Sequence, residues 1–116
     1  MTTNADNSVT HYIEHDLSLE LAGKAGRSAI NSYAKKHKQL TGLWTTPYLY
    51  NLKVKVPFNT LTGHVEITEG IIVFHIDKVP AMFKVFIGQA VEAIDKVVKQ
   101  HIAKANQPKT KRGKTL

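Results

Sequence analysis

The strictest pattern in this sequence is an alternation of side chains over nine residues. Apolar or aromatic residues occupy every second position: Tyr48, Tyr50, Leu52, Val54 and Val56. Because successive side chains of a strand point to opposite faces, this period predicts a β-strand with one buried face. Pro57 ends the pairing of this strand, and we predict a turn at Asn59–Thr60. The buried face requires other apolar elements to cover it.

A second alternation predicts a β-hairpin. Its strands are Gly63–Thr68 and Ile71–Ile76, and the two-residue turn Glu69–Gly70 fixes their register. In that register His64 faces His75 on one side of the sheet. The other side holds an apolar set that we predict to be core: Val65, Ile67, Ile72, Phe74 and Ile76.

A helix is predicted from Ser18 to about Gln39. The Ser18 hydroxyl can accept from a free backbone N–H, so this residue suits an N-cap. Mostly small residues then recur at spacings of three and four: Ala22, Ala25, Gly26, Ala29, Ile30, Tyr33 and His37. Small residues allow a helix axis to lie close to the surface on which it packs.

A second helix is predicted from Pro80 to about Ala103, because proline suits the first turn of a helix. Its apolar stripe is long: Phe83, Phe86, Ile87, Ala90, Val91, Ile94, Val97, Val98 and His101. Such a helix is about 35 Å long, whereas a six-residue strand spans about 20 Å. We therefore expect the helix to overhang the sheet and a homodimer to cover the overhang.

The apolar surface of this second helix is wider than one face, because Met82 and Val85 extend it. A deep core helix accounts for most of this pattern. The alternative is an apolar ligand site or partner surface at the start of the helix, and its candidate residues are Met82, Phe83, Val85, Phe86 and Ile87.

A strand at Val9–Glu14 completes the order β-α-β-β-β-α. This order predicts an α+β fold, an antiparallel sheet with two helices packed on one face. The order leaves the position of the first strand open. The length of 116 residues corresponds to one domain. We predict a disordered N-terminus over residues 1–8, a single domain over residues 9–103, and a basic flexible tail over residues 104–116.

The net charge of +7 comes mostly from that tail. Five of the 16 basic residues lie in the last 13 positions, which hold no Asp or Glu: Lys104, Lys109, Lys111, Arg112 and Lys114. The rest of the chain has 11 basic and 9 acidic residues, so its net charge is only +2. The tail is a candidate electrostatic contact for phosphates, an anionic membrane or a granule surface.

No pattern in the sequence predicts an enzyme. It has no cysteine, no G-x-S-x-G and no glycine-rich phosphate loop. We therefore predict no catalytic residue, no cofactor and no metal. His64 and His75 would hold a divalent ion only if a third ligand joined them, so an exposed polar face is the favoured interpretation. We expect His37 and His101 to be partly buried in the core, and His15 to fix the turn into the first helix.

The chain resembles the polyhydroxyalkanoic acid system proteins over roughly residues 9–103. The segment HDLSLELAGKA is similar to the family's strand end and Ala-rich helix at these positions: His15, Leu17, Ser18, Glu20, Ala22 and Ala25. The hairpin and the last helix match the family pattern at these positions: Gly63, Val65, Ile67, Val73, Ile76, Asp77, Pro80, Phe83, Phe86 and Ile94. The middle segment LWTTPYLYNLKVKVPFNT and the basic tail depart from the family pattern.

The resemblance implies a small non-catalytic accessory protein that associates with polyhydroxyalkanoate granules or belongs to their gene neighbourhood. We expect a cytoplasmic location, with a polyhydroxyalkanoate granule or granule proteins as candidate partners. Our first hypothesis is binding through the second helix, assisted by the basic tail. The second is a small apolar ligand held between that helix and the sheet. The third is nucleic-acid binding through the tail. We expect no signal peptide and no transmembrane segment, because neither pattern is present.

Overall fold

The computed structural model describes residues 2–106, which form six strands and two helices. The strands are β1 (Thr2–Thr3), β2 (Val9–Glu14), β3 (Leu40–Thr46), β4 (Leu49–Val56), β5 (Asn59–Ile67) and β6 (Ile71–Ile76). The helices are α1 (Leu19–Lys36) and α2 (Lys84–Ala105). A short 3-10 helix, Ala81–Phe83, leads into α2.

All six strands form one antiparallel sheet in the order β1-β2-β6-β5-β4-β3. Strands β3 to β6 are a meander, and β2 pairs with β6 on its far side. This pairing gives the first predicted strand its place in the sheet. The predicted α+β class is confirmed, and the register of the β5–β6 hairpin is confirmed too, since His64 lies opposite His75.

Strand β3 is the main element that the sequence did not predict. Helix α1 ends at Lys36 rather than near Gln39, and Leu40–Thr46 then pairs with β4. Only Leu40 is buried in this edge strand, and Trp44 is half-buried. An edge strand with one buried residue lacks the alternation by which a strand is recognised.

The described part of the N-terminus is ordered, where the sequence predicted disorder. Thr2 and Thr3 pair with β2. The Asn4 side chain donates to the Ser8 and Thr10 hydroxyls, each at 2.9 Å. These polar contacts hold the segment on the sheet without any apolar pattern, which is why sequence analysis did not find it.

Helix α1 packs closely on the sheet through its small residues. Its N-cap is confirmed, because the Ser18 hydroxyl accepts from the backbone N–H of Leu21 at 3.2 Å. A Cβ atom added at Gly26 would lie 2.6 Å from Cδ1 of Ile67. Helix α1 therefore lies close to β5 at this point, and a Cβ atom at Gly26 would displace the tip of the Ile67 side chain.

Helix α2 is covered by the protein along most of its length. Its five buried residues extend over more than four turns: Ile87, Val91, Ile94, Val98 and Ile102. Beyond its C-terminal end, the Asn106 side chain donates to Asp16 at 3.0 Å, so α2 ends beside the start of α1. The expected overhang is thus limited to the first turn, where Met82 and Val85 are exposed.

The turn between β4 and β5 lies at Pro57–Phe58, two residues earlier than predicted, because Val56 pairs with Asn59. Phe58 adopts a positive φ of 64° and is fully exposed. Gly70, in the next turn, has a φ of 83°, and a Cβ atom added there would have no neighbouring atom within 4 Å. Both turns need the left-handed conformation, but only one has glycine.

We expect Phe58→Gly to stabilise the protein by about 0.5–1 kcal/mol, because a bulky residue is strained at positive φ and an exposed ring loses little contact. Gly70→Ala is the matched reverse change. It should destabilise by about 1 kcal/mol through backbone strain alone. Urea denaturation at pH 7 measures both. A less stable Phe58→Gly variant would contradict the interpretation.

Candidate ligand cavity

An apolar cavity of about 230 Å³ lies between the sheet and the helices. Its floor is formed by side chains of β4 and β6, namely Leu52, Val54, Phe74 and Ile76, all of which are buried. Alternation along each strand places these residues on the face that carries the helices. The floor is therefore part of the same core face that the sequence predicted.

Gly63 occupies the register position between two of these floor residues. It lies opposite Leu52 of β4 and opposite Ile76 of β6. A Cβ atom at Gly63 would lie 2.2 Å from the carbonyl oxygen of His75, so the backbones approach too closely for any other residue. The core face therefore has no side chain at Gly63. This gap lies between Leu52 and Ile76, beneath the cavity.

The walls of the cavity come from the end of α1 and the first half of α2. Ile87, Val91 and Ile94 form the buried part of the α2 wall, and Ala90 contributes a small half-buried side chain. Tyr33 of α1 and Leu40 of β3 form the opposite wall. No carboxylate, lysine or hydroxyl of Ser or Thr lines the cavity among residues 2–106.

The exposed lining residues mark the mouth of the cavity. His37, Gln39 and Gln89 are exposed lining residues, and Phe86 is 40% exposed beside them. An engineered apolar cavity of about 150 Å³ can bind benzene, whereas pockets for drug-sized ligands range from about 300 Å³ upward. The volume here fits a small ligand with an apolar body.

Tyr33 and His37 form a stacked pair at the polar side of the cavity. Their ring centroids are 4.0 Å apart and the rings are inclined by only 20°. They lie one helical turn apart, which places both side chains on one face. Burial raises the pKa of the Tyr33 phenol above its usual value. Tyr33 is therefore a neutral hydroxyl donor at physiological pH.

The residues predicted to form a ligand site or partner surface at the start of the second helix fall into two groups in the structure. Phe86 and Ile87 line the cavity, and Phe83 packs as a half-buried residue against the core. Met82 and Val85 project into solvent, 79% and 74% exposed. The sequence thus located the α2 side of the site, but it did not bring together the lining residues from α1, β3, β4 and β6.

Lys104 lies in the last turn of α2, because the helix extends two residues beyond the predicted end at Ala103. It is therefore not part of a flexible tail. The other predicted tail residues fall outside the described part of the chain: Lys109, Lys111, Arg112 and Lys114.

The histidines have different environments from one another. His15 fixes the turn into α1 as predicted, since its Nδ1 accepts from the backbone N–H of Leu17 at 3.1 Å. Its Nε2–H donates to the Thr68 carbonyl at 2.9 Å. His37 is exposed at the cavity mouth rather than partly buried in the core, because α1 ends there. His101 is half-buried, as predicted, with its Nδ1 atom 2.9 Å from the Val97 carbonyl oxygen.

His64 and His75 are neighbours on the open face of the sheet, with ring centroids 5.3 Å apart. His75 also lies 3.3 Å from the Asp77 carboxylate and 3.1 Å from the Thr10 hydroxyl. Within residues 2–106 no group of three or more His, Cys, Asp or Glu side chains has a geometry that could hold a metal ion. Thr10 and Asp77 supply the polar partners of His75.

Comparison with known proteins gives no relative: no family model matches the chain, and no curated protein does. In the described part of the chain no helix combines the length and the apolar composition that a membrane span needs. The case for a function therefore rests on the geometry of the cavity and its surroundings.

His11 and Asp95 form a hydrogen-bonded pair between the sheet and α2, where both side chains are mostly buried. His11 Nε2–H donates to Asp95, and Lys99 lies 3.0 Å from the other carboxylate oxygen. Burial raises the pKa of Asp95, but hydrogen bonds from His11 and Lys99 outweigh that effect and leave the pKa below its usual value. His11 also meets Phe74 edge-to-face, so the pair supports the cavity floor.

We expect Asp95→Asn to lower the free energy of unfolding at pH 7 by about 1–3 kcal/mol, because it removes a charge-assisted hydrogen bond. The pKa of Asp95 is lower in the folded chain than in the unfolded chain, where an aspartate has a pKa of about 4. The ionised carboxylate therefore stabilises the fold above about pH 4, and this stabilisation is lost as the pH falls below that value. The difference from the wild type should therefore shrink between pH 4 and pH 2.

Urea denaturation across this pH range measures the difference. Glu92→Gln is the matched control, since Glu92 is an exposed carboxylate on the same helix. A pH-independent loss in Asp95→Asn would contradict the assigned role.

Proposed function

We propose that this protein is a non-catalytic binding protein for a small apolar ligand, held between α2 and the sheet. The observation that carries the proposal is the apolar cavity of about 230 Å³, which opens to solvent beside Phe86. Close packing is normal in protein interiors, so a cavity of this size at the junction of both helices and the sheet is a candidate binding site.

The chemistry of the lining supports binding rather than catalysis. Tyr33 and His37 are its titratable side chains, and they stack on each other through their rings. A nucleophile and a base within hydrogen-bonding reach of each other would be needed for covalent catalysis. A buried apolar wall with a few polar groups at its mouth is the usual form of a small-molecule site.

A cavity-filling substitution tests this function. Ala90→Leu adds a branched side chain to the cavity wall and keeps a good helix former. Benzene and octan-1-ol are suitable probes, and the methyl resonances of Leu52, Val54 and Ile87 report their binding. We expect both probes to shift these resonances in the wild type and to have little effect in Ala90→Leu.

The matched control is Ala103→Leu, an exposed position on the same helix that does not line the cavity. It should bind the probes as the wild type does. In thermal unfolding, a probe at a concentration of about 100 times its Kd should stabilise the wild type and Ala103→Leu by about 2.7 kcal/mol. Absence of binding to the wild type, or equal binding to Ala90→Leu, would refute the function.

A second candidate function is that of an accessory protein at polyhydroxyalkanoate granules, as the family resemblance implies. The observation that favours it is the exposed apolar group formed by Met82, Val85 and Phe86 at the start of α2. Lys78 precedes this group in the sequence and is exposed, and Lys84 lies between Met82 and Val85. A cytoplasmic location and a homodimer belong to this candidate as further predictions.

Fractionation of granule-containing cells tests the second candidate. We expect the wild type to sediment with the granules and the variant Met82→Ser/Val85→Ser to stay in the soluble fraction. Both residues are exposed, so the double variant should fold normally. A chain ending at Asn106 keeps α2 complete and isolates the contribution of the residues beyond it. A wild type that stays soluble in cells full of granules would contradict this candidate.

A further inference from the structure

The mouth of the cavity presents hydrogen-bond donors on one side. Gln39 and Gln89 each carry an amide NH₂ group, and the His37 ring carries at least one N–H. All three side chains are exposed, so a polar group bound there would keep part of its hydration. Phe86 forms the apolar part of the mouth. A ligand that fills the cavity therefore meets polar donors at one end only.

The charge around this polar side is positive. Lys36 and Lys38 are the sequence neighbours of His37, and Lys35 precedes them; all three are exposed. Consecutive Cα atoms are only about 3.8 Å apart, which brings flexible lysine side chains within reach of the mouth. Glu92, three residues after Gln89, is the acidic residue nearest in sequence to the residues of the mouth. The cations outnumber it.

Part of this positive charge has a structural use. Cations near the C-terminus of a helix interact favourably with its dipole, and Lys35 and Lys36 lie in the last turn of α1. Lys38 lies beyond the end of α1, so its charge is not needed for the interaction with the helix dipole. The same holds for the exposed His37, which lies between Lys36 and Lys38. The excess of cations favours an anion at the mouth, to which the amide NH₂ groups of the two glutamines can donate.

The volume limits the apolar part of the ligand. A cavity of about 150 Å³ holds benzene, which has six carbon atoms. If the number of carbon atoms scales with the cavity volume, the cavity of about 230 Å³ fits about nine carbon atoms. A branched or fused-ring lipid would exceed it, unless most of its body stayed outside the mouth.

From these observations we infer that the ligand is a medium-chain monocarboxylate. Its chain of roughly six to nine carbon atoms lies along Leu52, Phe74 and Ile87, and its carboxylate lies between His37 and Gln89 at the mouth. This inference rests on the proposed function, because it names the ligand class of the same cavity.

Three probes with the same chain and different head groups test the inference: octanoate, octan-1-ol and octylammonium. Calorimetric titration of the full chain at pH 7 and low salt gives the three affinities. We expect octanoate to bind at least tenfold more tightly than octan-1-ol, and octylammonium to bind most weakly. We also expect the preference for octanoate to decrease at 500 mM salt, because screening weakens exposed charges.

Two matched charge variants separate a positioned head-group site from the net charge of the protein. Lys36→Gln/Lys38→Gln removes two cations beside the mouth, and Lys53→Gln/Lys55→Gln removes two exposed cations from β4. The β4 pair lies on the sheet face away from the helices. We expect the first variant to weaken octanoate binding about five- to tenfold and to leave octan-1-ol unchanged. The second variant should bind octanoate almost as the wild type does.

Each other outcome rejects a specific statement. If none of the three probes binds, the proposed function itself fails. If octan-1-ol binds as tightly as octanoate, the cavity binds apolar ligands but the carboxylate assignment is wrong. If both charge variants weaken octanoate binding equally, the attraction comes from the net charge, and the head-group position at the mouth is refuted.

Discussion

The close contact between α1 and the sheet determines how the rest of the molecule packs. The first half of α1 approaches the sheet through alanine and glycine, and Gly26 leaves no room for a Cβ atom above Ile67. Farther along the helix the inward residues become large, namely Ile30 and Tyr33. The cavity lies at the end where the residues are large.

Helix α2 then closes the space beside α1 without filling it. The two helices lie side by side and in opposite directions, because Asn106 at the end of α2 bonds Asp16 near the start of α1. The beginning of α2 is consequently next to the end of α1, where His37 and Gln89 share the mouth. The missing side chain at Gly63 and the small side chain of Ala90 add to the same gap.

Local patterns in the sequence predicted much of this fold. The hairpin register and the Ser18 cap depend on the residues within each element, so alternation and capping were sufficient to find them. Strand β3 and the β1 segment carry few buried residues, so no apolar alternation marks them in the sequence. The turn at Phe58 was missed because a bulky aromatic residue at positive φ is contrary to the usual turn preferences.

The candidate site was predictable only on one side. Phe86 and Ile87 belong to an apolar stripe visible in the sequence, whereas the floor and the other wall come from separate elements. A cavity is a mismatch between the shapes of packed elements, so no single segment encodes it. The position of Gly63 between Leu52 and Ile76 becomes visible only when the strand register is known.

The presence of this cavity has an energetic consequence that bears on function. Cavities in protein cores cost about 24 cal/mol per Å³, so a closed and empty cavity of this volume would cost about 5 kcal/mol. That cost is comparable with the lower range of total protein stability, about 5 kcal/mol. Opening at His37 and Phe86 reduces the cost, because solvent reaches the outer part. The inner part remains apolar, and substituting a single residue such as Ala90 would reduce it. Under the proposed function, a ligand that occupies the gap between the helices and the sheet would stabilise the fold, because it would bind the folded chain and not the unfolded one.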